Sequence, residues 1–529
     1  MKHWLSLFGC VFAAVVFSIV GCGGDEPVDR CLNVTCDDES ECTEDACNPA
    51  DGSCDFMPVA DGGECDFDGL PGLCASGVCE DAMFCEGVDC DDESACTDDT
   101  CDPADGSCVN TSVPDDTQCD YYDLPGFCLR GGCEPVSWTW TVCPSECDFT
   151  LIQPAIDISV DGENVLVFAG TYQENIDFDG KAIVVTSADG PEVTIIDGNQ
   201  EGSVVTFRSF EMRDSVLRGF TITNGFGDNA GGIEVRNGSS PSIVKNIITN
   251  NFACQGAGIR TYFASPLIQH NEIIGNREGG CSGSSGAGIY IGGRSTVEVI
   301  ENLIADNEST GGGGISMGAA GNPIIFGNEI RGNRVTQDGG GLTLSNSSEA
   351  LIMQNLIYDN SAGQGGGIWW LVPFGDRGPR LVNNTIVDND APVGSGIFAD
   401  GYDGQTPLIN NIIVGKRGQS AIYCGDFNDL EAPIFSHNDV FAVDAPAYAG
   451  HCPDQTGLNG NISADPRFVD SEQHNYDLTA GSPAVDSGDT TIVDLPAEDF
   501  AGRPRTVDGN EDDVADVDIG AFEFQGPAR

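Results

Sequence analysis

Asp359 and Asp388 each open an Asp-Asn dipeptide, 29 residues apart, and Asp306 opens another upstream. If the chain repeats with that period, the first two carboxylates stand roughly 5 Å apart, the spacing of neighbouring β-strands. Carboxylates so placed can share the acid and base work of cleaving a glycosidic bond. Arg331, Arg334, Arg377 and Arg380 lie in the same stretch, where a lyase would need a base. Against both readings, Asp and Asn are the usual turn formers, and a turn explains the dipeptide without chemistry. A second set is aromatic. Tyr290, Trp369, Phe398 and Tyr423 each directly follow an isoleucine, and exposed rings offer an apolar face to the C–H surface of a sugar. A third set, Asp508, Asn510 and Asp512, alternates like the start of a calcium loop. Its sixth place is Asp513 and its twelfth Ile519, which excludes an EF-hand and leaves a looser Ca2+ turn. His270, His437, His451 and His474 are too scattered to suggest a metal site.

The elements that must position these residues are written as a repeat. Asn246, Asn271, Asn302, Asn328, Asn355 and Asn384 each begin the pattern N-x-I-x-x-N, closed by Asn251, Asn276, Asn307, Asn333, Asn360 and Asn389. A fainter echo continues at Asn411 and Asn438. Glycine steps precede the strands at Gly258-Ile259, Gly288-Ile289, Gly314-Ile315, Gly341-Leu342, Gly367-Ile368 and Gly396-Ile397. Copies lie 25 to 31 residues apart, the length of one solenoid coil. The runs between landmarks are short and alternating, as in Ile289-Tyr290-Ile291, which is the pattern of a half-buried strand. One such coil cannot bury its apolar face, whereas coils stacked at roughly 4.8 Å can. Stacking sets the asparagines in a column whose amides bond from coil to coil. It also sets Glu234, Arg260, Tyr290, Ser316, Thr343, Trp369, Phe398 and Tyr423 in one outward column. The last three are expected to form a glycan-binding strip with Tyr290 at its edge, unless the insertions 371–379 and 402–406 fold over it.

On these residues the chain resembles the right-handed parallel β-helix family, the pectin-lyase-like superfamily of bacterial surface proteins, over residues 143–460. The segment Phe149–Ile176 resembles the family's opening, a short capping helix and a first strand, with Ile152, Ala155, Ile156 and Val160 on one stripe. The resemblance implies an all-β solenoid, and its best-known members cleave acidic polysaccharides. Neither the paired-aspartate nor the Arg-x-Lys pattern of its pectin-cleaving members is present here. Residues 461–529 are similar to the segment that closes such surface β-helices, with Asp465-Pro466-Arg467-Phe468 and Asp518-Ile519-Gly520-Ala521-Phe522 as landmarks.

Residues 1–21 have a basic start and an apolar run ending in Ile19-Val20-Gly21-Cys22, which matches a lipoprotein signal with lipid on Cys22. Residues 22–30 then form a tether, and no later run has the ~20 apolar residues that cross a bilayer. Gly23 after the cysteine favours the outer membrane or cell surface. The net charge of −62 excludes generic nucleic-acid binding and opposes anionic membranes, leaving lipid as the membrane contact.

Without Cys10 and Cys22, 22 of the 24 cysteines remain. Sixteen fall in two copies, residues 31–84 and 85–138, each cysteine of the second lying 54 residues after its counterpart. Modules so small need disulfides in place of a core, though eight cysteines leave the pairing open. Their Cys-Thr-x-Asp-x-Cys text resembles repeats of slime-mould extracellular matrix proteins, implying an extracellular setting. The acids Asp37, Asp38, Glu39 and Asp91, Asp92, Glu93 are either solvated loops or calcium ligands. Later cysteines suggest local staples: Cys143–Cys147, Cys254–Cys281 and Cys424–Cys452. The sequence thus points to a lipid-tethered surface β-helix that binds a glycan or adheres without catalysis. The alternative is a lyase or hydrolase of acidic polysaccharide using Asp359 and Asp388.

Overall fold

The computed structural model describes residues 31–526 except 32–33, 39, 60–63, 68–69, 77, 82–87, 93, 103–106, 115–116, 123, 130, 136, 280–285, 347, 428, 494 and 511–512. Contacts divide the chain into two units, one of cysteine modules and one holding the solenoid with the C-terminal segment.

The second unit is a parallel β-helix built from three long sheets. Sheet A has twelve strands, from Thr139–Val142 to Ile434–Ser436. Sheet B has eleven, from Gly170–Gln173 to Asp439–Ala442, and sheet C eleven, from Ile176–Asp177 to Tyr448–Gly450. The ladder therefore starts at Thr139, four residues before the expected boundary. Each coil visits sheets A, B and C in turn, and like positions pair in register, as in Ile325↔Ile352 and Ile352↔Leu381. The inward columns are aliphatic and fully buried, among them Ile330, Ile357, Ile386 and Ile413 in sheet B. Stacking the β-branched side chains of successive coils gives one continuous core.

Both corners of sheet B are Asn ladders. In the first, the Oδ1 of Asn328 accepts from the backbone N and Nδ2 of Asn302 at 2.9 and 3.0 Å. Its own Nδ2 donates to Asn355 Oδ1, Val299 O and Phe326 O at 2.8 to 3.0 Å. That ladder runs on through Asn411 and Asn438 to Asn461. The glycine steps have a steric reason: a Cβ at Gly341 would lie 2.6 Å from the carbonyl oxygen of Gly367 in the next coil.

A helix, Ile152–Ile158, covers the first coil with Ile152, Ala155 and Ile156 buried. Glu174 accepts from the free Ile152 and Gln153 N–H groups at 2.7 and 3.0 Å. Val160 is not on the buried stripe; the helix has ended at Ile158, and Val160 is 62% exposed.

The C-terminal segment does more than close the last coil. After Asn461 and Ile462 join the ladder it turns back along the outside of sheet B. Leu356, Tyr358, Val387 and Ile412 face outward there and pack under Tyr476, Leu478, Ile519 and Phe522. Arg505 is buried beneath it and donates to Gln354 Oε1 at 2.8 Å and to the Gly520 and Ala521 carbonyls.

In the first unit the core of the first module is largely its own sulfur: Cys42, Cys65 and Cys74 are the buried cluster. The bonds are Cys31–Cys47, Cys36–Cys54, Cys42–Cys74 and Cys65–Cys79. The second module repeats them in Cys90–Cys108, Cys96–Cys128 and Cys119–Cys133.

Candidate functional site

Asp306, Asp359 and Asp388 occupy the corner that leaves sheet B, at φ 55°, 53° and 54°. The same corner in other coils is held by Asn250, Gly275 and Gly332, all at positive φ. The backbone thus restricts this place to Gly, Asn or Asp, which accounts for the Asp-Asn dipeptide. What surrounds these residues is more than a corner. They line a polar groove of about 810 Å³ with Arg331, Lys416 and, from the C-terminal segment, His474.

The groove is internally tied. Tyr476 is buried and its hydroxyl donates to Asp388 Oδ2 at 2.9 Å. With that proton committed, His474 Nδ1, at 3.2 Å, donates to the Tyr476 oxygen. His474 Nε2 lies 3.6 Å from Asp359 Oδ2, so one chain of polar contacts joins the two aspartates. Burial and the neighbouring Asp388 carboxylate push the Tyr476 hydroxyl far above its ordinary range, which keeps it a donor. Burial and Glu329 do the same to Tyr358, whose hydroxyl donates to Glu329 Oε1 at 2.7 Å. Lys416 donates to Asp390 at 2.6 Å and holds that carboxyl below the usual range. Arg331 bonds Glu329 at 3.0 Å and faces Asp306 at 3.8 Å. The lining carries five carboxylates, Asp306, Glu329, Asp359, Asp388 and Asp390, against the three cations Arg331, Arg334 and Lys416. Chemically this is an array of hydrogen-bonding groups set one coil apart, acidic in balance, and suited to a hydroxyl-rich chain.

Sequence reasoning did not bring His474, Tyr476 or Tyr358 to this place. One signal was available. The outward positions of sheet B change from Glu329 and Arg331 to Leu356, Tyr358, Val387 and Ile412. A strand apolar on both faces is covered on both faces.

On sheet C the register sets Glu234, Arg260, Tyr290, Ser316, Thr343, Trp369, Phe398 and Tyr423 in a single column. Trp369 and Phe398 are 6.5 Å apart and Phe398 and Tyr423 5.4 Å, both pairs within 10° of parallel. The rings therefore turn their faces to one another along the solenoid axis. Phe398 is 6% exposed, between its two neighbours. A sugar meets ring edges here, not a row of open faces. Tyr290 lies apart from the stack, across Ser316 and Thr343, with the Arg260 guanidinium 5.9 Å from its ring.

Cys143–Cys147 and Cys424–Cys452 are bonded. Cys254 is in a disulfide, while its expected partner Cys281 lies outside the described residues, as does Cys22. Asp512, Glu39 and Glu93 are also outside them. Asp508 accepts from the Asp513 N–H at 3.0 Å, and the Asn510 N–H donates to Asp486, 24 residues upstream, at 2.6 Å. The carboxylates of Asp91, Asp92 and Asp99 come within 4.8 Å of one another, the first two exposed and Asp99 half-buried on the strand Thr97–Cys101. There Asp92 accepts from Ser94 N–H and Thr97 Oγ1 at 2.9 and 2.8 Å, holding its own turn.

The second unit is thus a right-handed parallel β-helix. A family model described as "Right handed beta helix region" matches residues 281–413. In the modules, the "Dictyostelium (slime mold) repeat" matches residues 35–59 and 89–113. Among solved structures the chain is similar to one titled "Crystal structure of pectate lyase Pel9A", at 14% identity over 73% of this chain and 96% of that one, with a TM-score of 0.39. It is also similar to "The complex structure of XylC with xylose", at 11% identity over 74% and 99%, with a TM-score of 0.36. The fold assignment rests on the strand ladders and not on these scores. No curated protein matches the chain.

Proposed function

We propose that this protein is a surface-displayed, non-catalytic β-helix that binds a glycan chain, tethered to the outer membrane or cell surface by lipid on Cys22. The observation that carries the reading is the groove beside sheet B. Its charged and hydrogen-bonding groups recur once per coil from Asp306 to Lys416, walled on one side by His474. A repeat of roughly 4.8 Å offers a polymer the same contacts at successive units. The disulfide-dense modules fit an oxidising, extracellular setting. Binding without turnover is favoured because Asp359 and Asp388 answer a backbone requirement and both stand exposed, whereas a glycosidase's acid is kept protonated by burial.

The test is a glycan array probed with the chain lacking its signal, followed by Arg334→Ala and Asp388→Asn. Both variants should weaken whatever chain binds, and unchanged binding would remove the groove from consideration. A second reading is kept by the stacking of Asp359 and Asp388 roughly 5 Å apart, the separation of a retaining hydrolase's carboxyls. New reducing ends or uronate released by the parent with Ca2+ present, and abolished in Asp388→Asn, would make the protein an enzyme. The tether is checked by Cys22→Ser, which should move the protein from the membrane to the soluble fraction.

A further inference from the structure

A second concave site lies between sheets C and A, on loops that depart from the regular coil. The strands Ile368–Val372 and Ile397–Gly401 are five residues long, against four in the preceding coil's Leu342–Ser345. From the end of the first, Pro373 to Asp376 make a tight turn closed by the Asp376 N–H on Pro373 O at 3.3 Å. Gly375 takes φ 83° at its third place, where a side chain would be strained. The turn holds Phe374 out at its tip, 82% exposed. Its ring stands edge-on to Tyr402 of the next coil, centroids 5.1 Å apart. A cavity of about 310 Å³ opens beside the two rings, lined also by Asp376, Arg377, Asp429 and Glu431. Gly404 lies against it, and a Cβ there would stand 2.5 Å from a Glu431 carboxylate oxygen. Asp429 is oriented by the Leu430 and Glu431 N–H groups, which donate to its Oδ1 at 2.7 and 3.1 Å.

We infer that this pocket takes a single neutral or amine-bearing sugar unit. The inference deepens the glycan-binding reading and rests on it. Phe374, 82% exposed, does not stand alone: with Tyr402 it sets two rings at the mouth of a polar cavity. A sugar suits this arrangement, because its C–H face covers an aromatic ring while its hydroxyls reach the carboxylates and guanidinium around it. The volume suits a small ligand and not a macromolecular segment. Charge decides the class. Three carboxylates face one arginine in the pocket, on a chain of net charge −62. A uronate is repelled, and an ammonium group on the sugar is drawn in.

The experiment is calorimetric titration of the chain lacking its signal with neutral oligosaccharides, chitosan oligosaccharides and oligogalacturonate, without calcium. Phe374→Ala, Glu431→Gln and the groove variant Arg334→Ala are compared with the parent. Phe374 is on the surface, so its removal leaves the fold intact. The parent should bind the neutral or amino sugars and not oligogalacturonate. Phe374→Ala should lose about tenfold in affinity, and Glu431→Gln should reduce any preference for chitosan over the neutral probe. Phe374→Ala binding like the parent, while Arg334→Ala binds less, would overturn the pocket and leave the groove standing. The converse result would sustain the pocket and sink the groove. Tightest binding to oligogalacturonate, or no saccharide bound at all, would overturn the pocket outright.

Discussion

At the scale of single residues, the asparagine is the unit on which the solenoid depends. Asn328 is fully buried and satisfies groups on the coils before and after it with both ends of one amide. Leucine has the same branched skeleton, with bulkier methyl groups, and neither hydrogen-bonding end. Its introduction strands the Asn302 backbone N–H and takes the side-chain donor from the Val299 carbonyl, while Asn355 Oδ1 keeps the backbone N–H of residue 328; each buried group left unpaired costs about 1–3 kcal/mol. Asn328→Leu should therefore destabilise the solenoid by about 3 kcal/mol in chemical denaturation, with the midpoint lowered and the slope unchanged. A loss of a few tenths would mean that water replaces the ladder. The aspartates of the neighbouring corner work differently. Their conformation is needed by the chain, and their carboxylates are what the groove gains from it.

At the scale of elements, what could be read in advance was whatever repeats. Ile and Asn recur with the coil, so the stacked parallel solenoid, its asparagine column and the outward column of sheet C followed from spacing. The aromatic row was placed correctly and its faces were not. In-register parallel strands put like side chains one strand apart, and at 5.4 to 6.5 Å planar rings stack upon each other. Contacts outside the period were invisible. Arg505 meets Gln354 across 151 residues, and no coil-to-coil rule predicts that the C-terminal segment turns back along sheet B. One wall of the groove was lost with it, since Gln473 and His474 arrive on that segment. The module disulfides were illegible for a related reason. Duplication proves that the two copies pair alike, but which cysteines meet depends on hairpins such as Thr43–Cys47 with Cys54–Pro58.

At the scale of the whole molecule, a net charge of −62 makes pH a structural variable. Among the described residues burial raises five carboxyls, Asp338, Asp403, Asp439, Asp518 and Glu523, of which Asp403 and Asp439 belong to the solenoid coils and stand away from Arg505. Asp403 is 2% exposed, accepts from Trp370 Nε1 at 3.3 Å, and is pushed up to about 7 by burial, with Asp400 and Asp429 adding to the shift. Asp439 is fully buried, accepts from the Ala464 N–H at 3.0 Å, and is likewise raised to about 7, first by burial and then by Asp465. In the unfolded chain both ionise near pH 4. Between those values the native state holds protons that the unfolded state has released, so stability falls as pH rises. Their contribution is complete below pH 4 and lost as pH passes through 7. Asp518, raised by burial to about 7, loses its proton over the same range, so the window from pH 6 to 8 reads Asp403, Asp439 and Asp518 together. The melting temperature of the solenoid should fall by about 5 °C across it. Replacing Asp403 and Asp439 with asparagine, which keeps an acceptor for Trp370 and for Ala464, should make that slope shallower and leave the share of Asp518. A double variant whose melting temperature still falls as the parent's does would show that the pH dependence comes from elsewhere on the chain.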